Sequence, residues 1–573
     1  MPIHNQDIAA IFNEVADLLE IEGANPFRVR AYRNAARVVE GLAQSLADLV
    51  ARSADLAELP GIGQDLAGKI KEIVATGGLA LLRELEAKTP PALSEMMQIA
   101  GLEAKRVHLL HEQLGINTPR DLEEAARAGK IQRLKGFGAK TEQQILAGAA
   151  RITQEEKRVK LAAAEPVAEA LVQHLQGVRG VDEAIVAGSY RRRKETVGDL
   201  DILVTGEEGA RVMEAFVGYE DVQKVVAHGE TKSAVILRSG MQVDLRVVSP
   251  ESYGAALHYF TGSKAHNIAI RQLGVQKGLK INEYGVFKGD KRVAGATEAE
   301  VFQMVDLPYI EPELRENRGE VEAAQAGRLP HLITLKDMRG DLHVHTKATD
   351  GRHTMAEMAQ AAKDRGYDYL AITNHSQRVS MAHGLSAADL AEEIAEIDRL
   401  NGKLSGIRLL KAIELDILED GSLDLPDGIL RELDLTVCAV HYNFKLSRTR
   451  QTERLIRAMD NPYFNILAHP TGRLINRREP YEVDLERLLQ AARARGCFME
   501  LDAQPDRLDL ADIYCKLAKD RGVKVAISTD AHSTADLALM RFGIDQARRG
   551  WLEAGDVLNT RSWQELHQLL KRT

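Results

Sequence analysis

In the last third of the chain, short apolar and β-branched runs alternate with stretches of helical period. The runs cover residues 341–345, 369–375, 409–414, 435–441, 465–469, 497–501 and 523–532, with helix-like stretches such as 355–365 and 485–495 between them. Strands of this kind, separated by helical crossovers, pack as a parallel sheet, and so many in succession predict a closed (β/α) barrel. Residues 1 to about 150 read instead as all helical, with turns marked by glycine pairs. Between these regions lie two short strands, 199–204 and 241–248, that mix apolar and carboxylate positions.

The strands of such a barrel end at one common rim, so the residues that trail them converge. Here they are His343, His345, Asp350, His375, Glu414, His441, His469, Asp530 and His532. Residues i and i+2 of a strand share a face, so His343 with His345, and Asp530 with His532, can grip metal as pairs. A lone histidine is more often a hydrogen-bonded core or surface residue, but that explanation does not produce an ordered set at successive strand ends. Six histidines and three acids without thiolate suit Zn²⁺, Mn²⁺ or Fe²⁺, and exceed what one tetrahedral ion can use. Two or three ions that activate water and clamp a phosphoryl oxygen would hydrolyse phosphoesters.

On these residues, and on the Ala468-His469-Pro470 and Asp530-Ala531-His532 steps, the segment 338–573 resembles a PHP (polymerase and histidinol phosphatase) domain. The resemblance implies a distorted (β/α)7 barrel with the nine residues as metal ligands. The family usually has an aspartate before the histidine matched by His375, where this chain has Asn374. That residue is expected to orient ligands, so the change bears on their orientation more than on metal binding.

The middle of the chain carries a second acid set. Asp199 and Asp201 share one strand face, and Asp244 lies in the next short strand. Three convergent carboxylates fit two Mg²⁺ or Mn²⁺ ions, hard cations that take oxygen ligands and leave positions for a nucleoside triphosphate and an attacking hydroxyl. Upstream, Gly188-Ser189 can offer backbone N–H groups and a hydroxyl to phosphate, and Arg192 a charged fork. The run Arg191-Arg192-Arg193-Lys194, taken alone, reads as a solvated basic surface. Gly-Ser followed by Asp-x-Asp and then a strand Asp resembles the nucleotidyltransferase palm. The segment Tyr259-Phe260-Thr261-Gly262-Ser263, with Asn267, Arg271 and the stretch 281–285, narrows this to family X DNA polymerases such as polymerase beta. The resemblance implies that Gly188, Ser189 and Arg192 hold the triphosphate, Asp199 and Asp201 both metals, and Asp244 the catalytic metal with the primer 3′-hydroxyl. It implies further that Tyr259, Phe260 and Gly262 pack about the sugar, that Asn267 reaches the incoming base, and that Arg271 reaches the template. Polymerase beta has arginine two residues before its third metal aspartate, where this chain has Gln242, a change expected to alter fidelity or metal preference.

In the helical front, 59–63 (Leu-Pro-Gly-Ile-Gly) and 134–138 (Leu-Lys-Gly-Phe-Gly) resemble helix-hairpin-helix motifs. Gly61, Gly63, Gly136 and Gly138 would let amides at a helix start bind DNA phosphate. A plain helix-helix turn would look the same in a single copy. A third copy around Gly101 has Glu103 in place of its second glycine, which would repel phosphate. Lys69 falls at the Schiff-base lysine of the polymerase beta lyase domain, with Tyr32 matching, Arg28 replacing one basic ligand and Asp65 in place of another lysine. Asp65 would raise the pKa of a neighbouring amine. Lyase chemistry at Lys69 and simple phosphate contact both stay open.

The chain has 573 residues, enough for several domains, and its 45% hydrophobic content is spread without an apolar run near the ~18 residues of a membrane span. The start lacks the basic and apolar regions of a secretory signal. Three cysteines without a C-x-x-C pair fit buried free thiols in a reducing cytoplasm. A net charge of −9 weighs little against nucleic acid, since local clusters decide that question. The expected class is multidomain α+β. Its parts are a helical, lyase-like domain (1–85), a helix-hairpin-helix domain (86–155), a palm (156–258), a nucleotide-binding domain (259–318), a helical or extended linker (319–337) and the PHP barrel (338–573). The resemblance implies a DNA-directed DNA polymerase that fills short gaps in base excision repair, with a 3′-5′ exonuclease in the barrel that also suits abasic or blocked 3′ ends. Expected cofactors are Mg²⁺ or Mn²⁺ at the palm and two to three Zn²⁺, Mn²⁺ or Fe²⁺ in the barrel. Expected partners are gapped or primer-template DNA and deoxynucleoside triphosphates, with no membrane, for a cytoplasmic monomer. A PHP small-molecule phosphatase and a non-catalytic DNA-end scaffold are the competing readings.

Overall fold

The computed structural model describes residues 5–571 apart from 41, 43–45, 87, 91, 98, 100, 153–157 and 207. It divides into two compact units, Met1–Lys157 and Arg158–Thr573. The boundary expected near residue 155 lies outside the described residues.

The first unit is helical. Asn5–Ile21 and Pro26–Glu40 pack along each other through Phe12, Val15, Tyr32 and Val39. The same apolar cluster runs on through Ile70, Leu93, Leu110 and Ile145, so the two helical segments expected as separate domains share one core. Its hairpin turns are built alike. Gly61, Gly101 and Gly136 all take positive φ, and Ile62, Leu102 and Phe137 follow them into the core. Each of these apolar residues donates its backbone N–H three residues back, at 3.0, 2.9 and 3.1 Å. The degenerate third copy therefore keeps the turn while losing the second glycine.

The second unit opens on β1 (Val159–Lys160), which pairs with β3 (Thr196–Val197). A mixed sheet follows from β2 (Val181–Val186), β4 (Asp199–Gly206), β5 (Val222–His228), β6 (Lys232–Leu237) and β7 (Gln242–Val248), in the order β2-β4-β7-β6-β5. Leu200, Ile202, Val204, Val243 and Leu245 turn one face toward the helices Leu161–Gln176 and Gly209–Val217. Alternation leaves Asp199, Asp201 and Leu203 on the other face, where Leu203 packs on Ala256 and Leu257 of the helix Tyr253–Thr261. A seam at 258/259 would cut that helix, so the palm gives way earlier, before residue 253.

The helix Lys264–Gln276 and an antiparallel sheet of β8 (Lys280–Asn282), β9 (Gly285–Lys288) and β10 (Lys291–Ala294) complete the next layer. Its core of Ile270, Val286, Phe302 and Leu314 continues through Val321, Ala324 and Leu332. The stretch 319–337 is thus packed in place, with the helix Glu320–Gln325 in it, and is not a free tether.

The barrel strands are β11 (Gly340–Val344), β12 (Tyr369–Ile372), β13 (Arg408–Lys411), β14 (Glu414–Asp416), β15 (Val437–Ala439), β16 (Ile466–Leu467), β17 (Phe498–Asp502) and β18 (Val525–Ser528), all parallel. The run expected as one strand over 409–414 breaks at Ala412-Ile413, so β13 and β14 form one interrupted stave and the barrel has seven. A parallel bridge from Val344 to Ala531 closes it. Cys438, Cys497 and Cys515 are buried and form no disulfide. No helix among the described residues is long and apolar enough to cross a membrane.

Candidate active sites

In the palm, β4 and β7 run parallel with Asp201 opposite Asp244 and Asp199 opposite Gln242, so three carboxylates crowd one patch of sheet. Burial, then the neighbouring Asp199 and Asp244, push the Asp201 carboxyl up to about 7. The mutual repulsion of three crowded acids is what hard divalent cations would relieve. The remaining atoms are braced. Gln242 donates its amide to Asp244 Oδ2 at 2.9 Å, and Lys232 Nζ stands 3.8 Å from Oδ1.

Gly188 starts the short helix Gly188–Arg191 with φ +61°, and a Cβ there would lie 2.5 Å from Asp201 Oδ2. Only glycine allows this approach. Ser189 lies on the same turn, half-buried. Arg192 follows it, and its charge is felt by Asp201. Its guanidinium donates to Glu316 Oε1 (2.9 Å) and to the Thr261 carbonyl (2.8 Å). The basic run is not a solvated surface: Arg191 pairs with Glu298 at 2.7 Å, and Arg193 lies 3.3 Å from Glu165 and 3.6 Å from Asp545.

Tyr259 and Phe260 sit edge to face, ring centroids 5.0 Å apart, and Arg246 stacks on Phe260 at 4.5 Å. Asn267 is buried, and its amide donates to the carbonyls of Tyr259 (2.6 Å) and Gly262 (3.2 Å). It braces the Tyr259–Gly262 turn, so the NH₂ expected to reach a base is committed here. Arg271 is exposed, with its Nε donating to the Asn267 carbonyl at 3.2 Å.

The barrel brings all nine expected ligands to one rim. Their atoms form overlapping groups: His345, Asp350, His375 and His532; His343, His345 and Asp530; and His375, Glu414 and His441. His469 joins through its Nε2, 3.0 Å from Glu414 Oε1. His375 Nδ1 lies 2.7 Å from Glu414 Oε2, and His345 Nε2 lies 3.0 Å from Asp530 Oδ1. Fully buried polar atoms are left without hydrogen bonds at His343 Nε2, both nitrogens of His345, His375 Nδ1 and Glu414 Oε2. Buried nitrogens and oxygens crowded toward one point without well-formed hydrogen bonds fit divalent cations, and the sharing of His345 and His375 fits more than one. Burial would raise Glu414, but His375, His441 and His343 hold it well below the carboxylate range. The backbone is strained at two ligands, His469 (φ +26°) and Asp530 (φ +48°).

Several partners of these ligands escaped the sequence reading. Glu500 accepts from His343 Nδ1 (2.8 Å) and from the His469 backbone N–H (2.7 Å), which turns His343 Nε2 toward the cluster. Asp416 Oδ1 is 3.5 Å from His441 Nδ1, and its place two residues after Glu414 in β14 was the available signal. Asn374 donates to Glu393 Oε2 (2.5 Å) and accepts from the Thr346 backbone N–H (2.7 Å), tying the end of β12 to the loop that carries Asp350. Arg507 lines the same cleft of about 330 Å³. Its Nε stands 3.3 Å from Asp502 and 3.9 Å from Asp530.

In the helical unit, Gly63 and Gly138 stand exposed at the starts of Gln64–Thr76 and Ala139–Ile152, with open space where a Cβ would lie. Lys69 is ion-paired with Asp65, its Nζ 5.8 Å from the Tyr32 ring centre. Burial opposes the charge, but Asp65 and Tyr32 outweigh it and raise the amine.

A carboxylate triad on a mixed sheet, in one chain with a barrel rim of imidazoles and acids, defines a nucleotidyltransferase palm joined to a PHP-type metal barrel. Family models match in that order: a helix-hairpin-helix domain (3–79), a SAM-like helix-hairpin-helix tandem (93–151), the DNA polymerase beta palm (158–249) and thumb (256–316), and the PHP domain (341–504). The chain belongs to the family X DNA polymerases that carry a C-terminal PHP domain. It is 37% identical over 574 residues, spanning the whole of both chains, to the DNA polymerase/3′-5′ exonuclease PolX of Bacillus subtilis (strain 168). The barrel half is 29% identical over 231 residues, 38% of this chain and 89% of the other, to a probable phosphatase of Thermoanaerobacter sp. (strain X514). A probable phosphatase of Caldanaerobacter subterraneus subsp. tengcongensis is 31% identical over 208 residues, 34% of this chain and 77% of that one.

Proposed function

We propose that this protein is a DNA-directed DNA polymerase that fills short gaps during repair and trims DNA 3′ ends in its barrel. The observation that carries the reading is the pairing of Asp201 with Asp244 on adjacent parallel strands, beside Asp199, in a chain whose barrel also assembles a full ligand cluster. Likeness to PolX along the whole chain favours this over a small-molecule phosphatase, which would leave the palm and hairpins without a task. The unpaired barrel atoms weigh against an inert scaffold.

In the palm, Asp199, Asp201 and Asp244 would hold Mg²⁺ or Mn²⁺, which supplies Lewis acidity to the α-phosphate and to the primer 3′-hydroxyl. Gly188 and Ser189 border the phosphates, and Arg192 faces the triphosphate charge that departs as pyrophosphate. Tyr259 and Phe260 flank the sugar, and Arg271 is placed for the template. In the barrel the nine ligands would hold two or three divalent ions that activate water at a phosphodiester, and Arg507, which lines the same cleft, would offer its guanidinium to a non-bridging phosphate oxygen. Gly61, Gly63, Gly136 and Gly138 hold DNA backbone without reading sequence.

A labelled one-nucleotide-gapped substrate, with and without deoxynucleotides in Mg²⁺ or Mn²⁺, reports both sites as lengthened and shortened products. Asp199→Ala should abolish extension and spare trimming, and His343→Ala should do the reverse. Loss of both activities in either variant would remove the two-site reading, and release of phosphate from histidinol phosphate without trimming would favour the phosphatase.

A further inference from the structure

We propose that Arg549, a barrel residue, is a positioning residue for nucleotide binding in the palm, so that the synthetic site is completed by the domain that carries the nuclease ligands. This rests on the polymerase reading above.

Arg549 ends the helix Met540–Arg549 with its side chain 2% exposed. All of its contacts are directional. Nη1 donates to the Arg192 carbonyl at 2.7 Å and to Glu316 Oε1 at 3.2 Å, and Nη2 donates to Asp512 Oδ2 at 2.7 Å. Arg192 Nε donates to that same Glu316 oxygen at 2.9 Å. One carboxylate oxygen is therefore shared between an arginine whose charge reaches the palm acid Asp201 and an arginine of the barrel. Asp512, in turn, takes Arg318 at 2.9 Å. A buried guanidinium with a fixed fork satisfies such a set in one orientation only, which makes it a gauge of position as well as a charge.

The arrangement has a direction. Arg192 lies where its charge reaches Asp201, so a triphosphate held by the palm acids through divalent ions competes with Glu316 for it. If Arg192 were the only arginine on Glu316, releasing it would strand a buried carboxylate, a costly step. Arg549 keeps Glu316 paired while Arg192 turns to phosphate, and its bond to the Arg192 carbonyl holds the backbone from which that side chain swings. Around the group stand Arg192, Arg318 and Lys194 as cations and Glu316 and Asp512 as anions. Loss of Arg549 leaves Glu316 to bind Arg192 more firmly, which weakens nucleotide binding more than it slows chemistry.

The test uses full-length R549K, R549Q and D512N beside the wild type. Asp512 pairs with Arg549 and Arg318 and lies outside the palm. R549Q should raise KM for the deoxynucleotide about tenfold while kcat stays within about threefold, the size of a lost charge-assisted hydrogen bond. R549K, which keeps the charge without the fork, and D512N should fall between. Trimming of single-stranded primer without nucleotide should match the wild type in all three, showing an intact barrel. Unchanged KM in R549K and D512N overturns the proposal, whatever becomes of R549Q. It is overturned equally by a fall in kcat at unchanged KM that tracks lost trimming and a lower Tm, the signature of a merely structural residue. A wild type that trims but never extends sinks the polymerase reading and this inference with it, whereas an active wild type with insensitive variants sinks this inference alone.

Discussion

Gln242 donates its side-chain amide to Asp244 Oδ2 across 2.9 Å, two residues apart on one face of β7. A neutral donor here steadies the carboxylate without competing for its charge. Gln242→Leu removes one amide-to-carboxylate hydrogen bond, worth about 1.5–3 kcal/mol, and should lower kcat about ten- to hundredfold at saturating Mg²⁺. Gln242→Arg, placing a cation on the same oxygen, should instead raise the Mg²⁺ concentration needed for half-maximal extension. A Gln242→Arg enzyme that needs less Mg²⁺ would show that the amide does not set the metal requirement.

How far the sequence could carry the reading follows from which contacts are local. That the nine barrel residues and the three palm acids gather at one rim and on one sheet patch was legible, because strand ends and i, i+2 spacing place them without knowledge of distant partners. Glu500 was not, although its strand was, because its role depends on His343 and on the His469 backbone across the barrel. Arg192 was singled out as a candidate phosphate ligand, but its bonds to Glu316 and Arg549, 124 and 357 residues away, were not legible. The helix expected in the linker is present, but its packing was not legible: the charged, Ala-rich composition hides the few apolar residues, Val321, Ala324 and Leu332, that fasten it.

Glu500→Gln should cut barrel activity about 10- to 100-fold, the usual cost of losing a hydrogen-bond partner behind a metal-ligating histidine. Glutamine fills the same space but no longer accepts as a charge from His343 Nδ1, so that ring turns less firmly. Added Mn²⁺ should restore part of the trimming, and primer extension should not change. Trimming at the wild-type rate across a metal titration would exclude a role for Glu500.

Glu316 gives a pH dependence with a defined sign. Burial would raise its carboxyl, but Arg549, Arg192 and Lys194 hold it down to about 2 against an ordinary 4.5. A lowered folded-state pKa means that its stabilisation is present above about 4.5 and is lost as pH falls toward about 2. The difference, at about 1.4 kcal/mol per tenfold change in the proton equilibrium, is on the order of 3 kcal/mol. Glu316→Gln should therefore have a lower urea midpoint than the wild type at pH 6, and the gap between the two should shrink by pH 3. A gap that stays constant or widens on acidification would mean that Glu316 is not held ionised by these arginines.

Lys69 is expected to bind DNA phosphate and not to act as a Schiff-base nucleophile. Only the neutral amine attacks an aldehyde. Asp65, four residues away on the same helix, is ion-paired with it, and the amine is raised above its ordinary 10.5. Such an amine is still less available as the free base than an ordinary lysine. Borohydride reduction on a 5′-deoxyribose-phosphate gap should trap little protein, and Lys69→Ala should leave that small yield unchanged. The same variant should weaken DNA binding and lessen its dependence on log salt by up to about one. Asp65→Asn removes the anion that holds the proton and should increase trapping if any lyase chemistry is latent at this position. Strong trapping by the wild type that Lys69→Ala abolishes would restore the lyase role and place a deprotonating influence at Lys69 when DNA is bound.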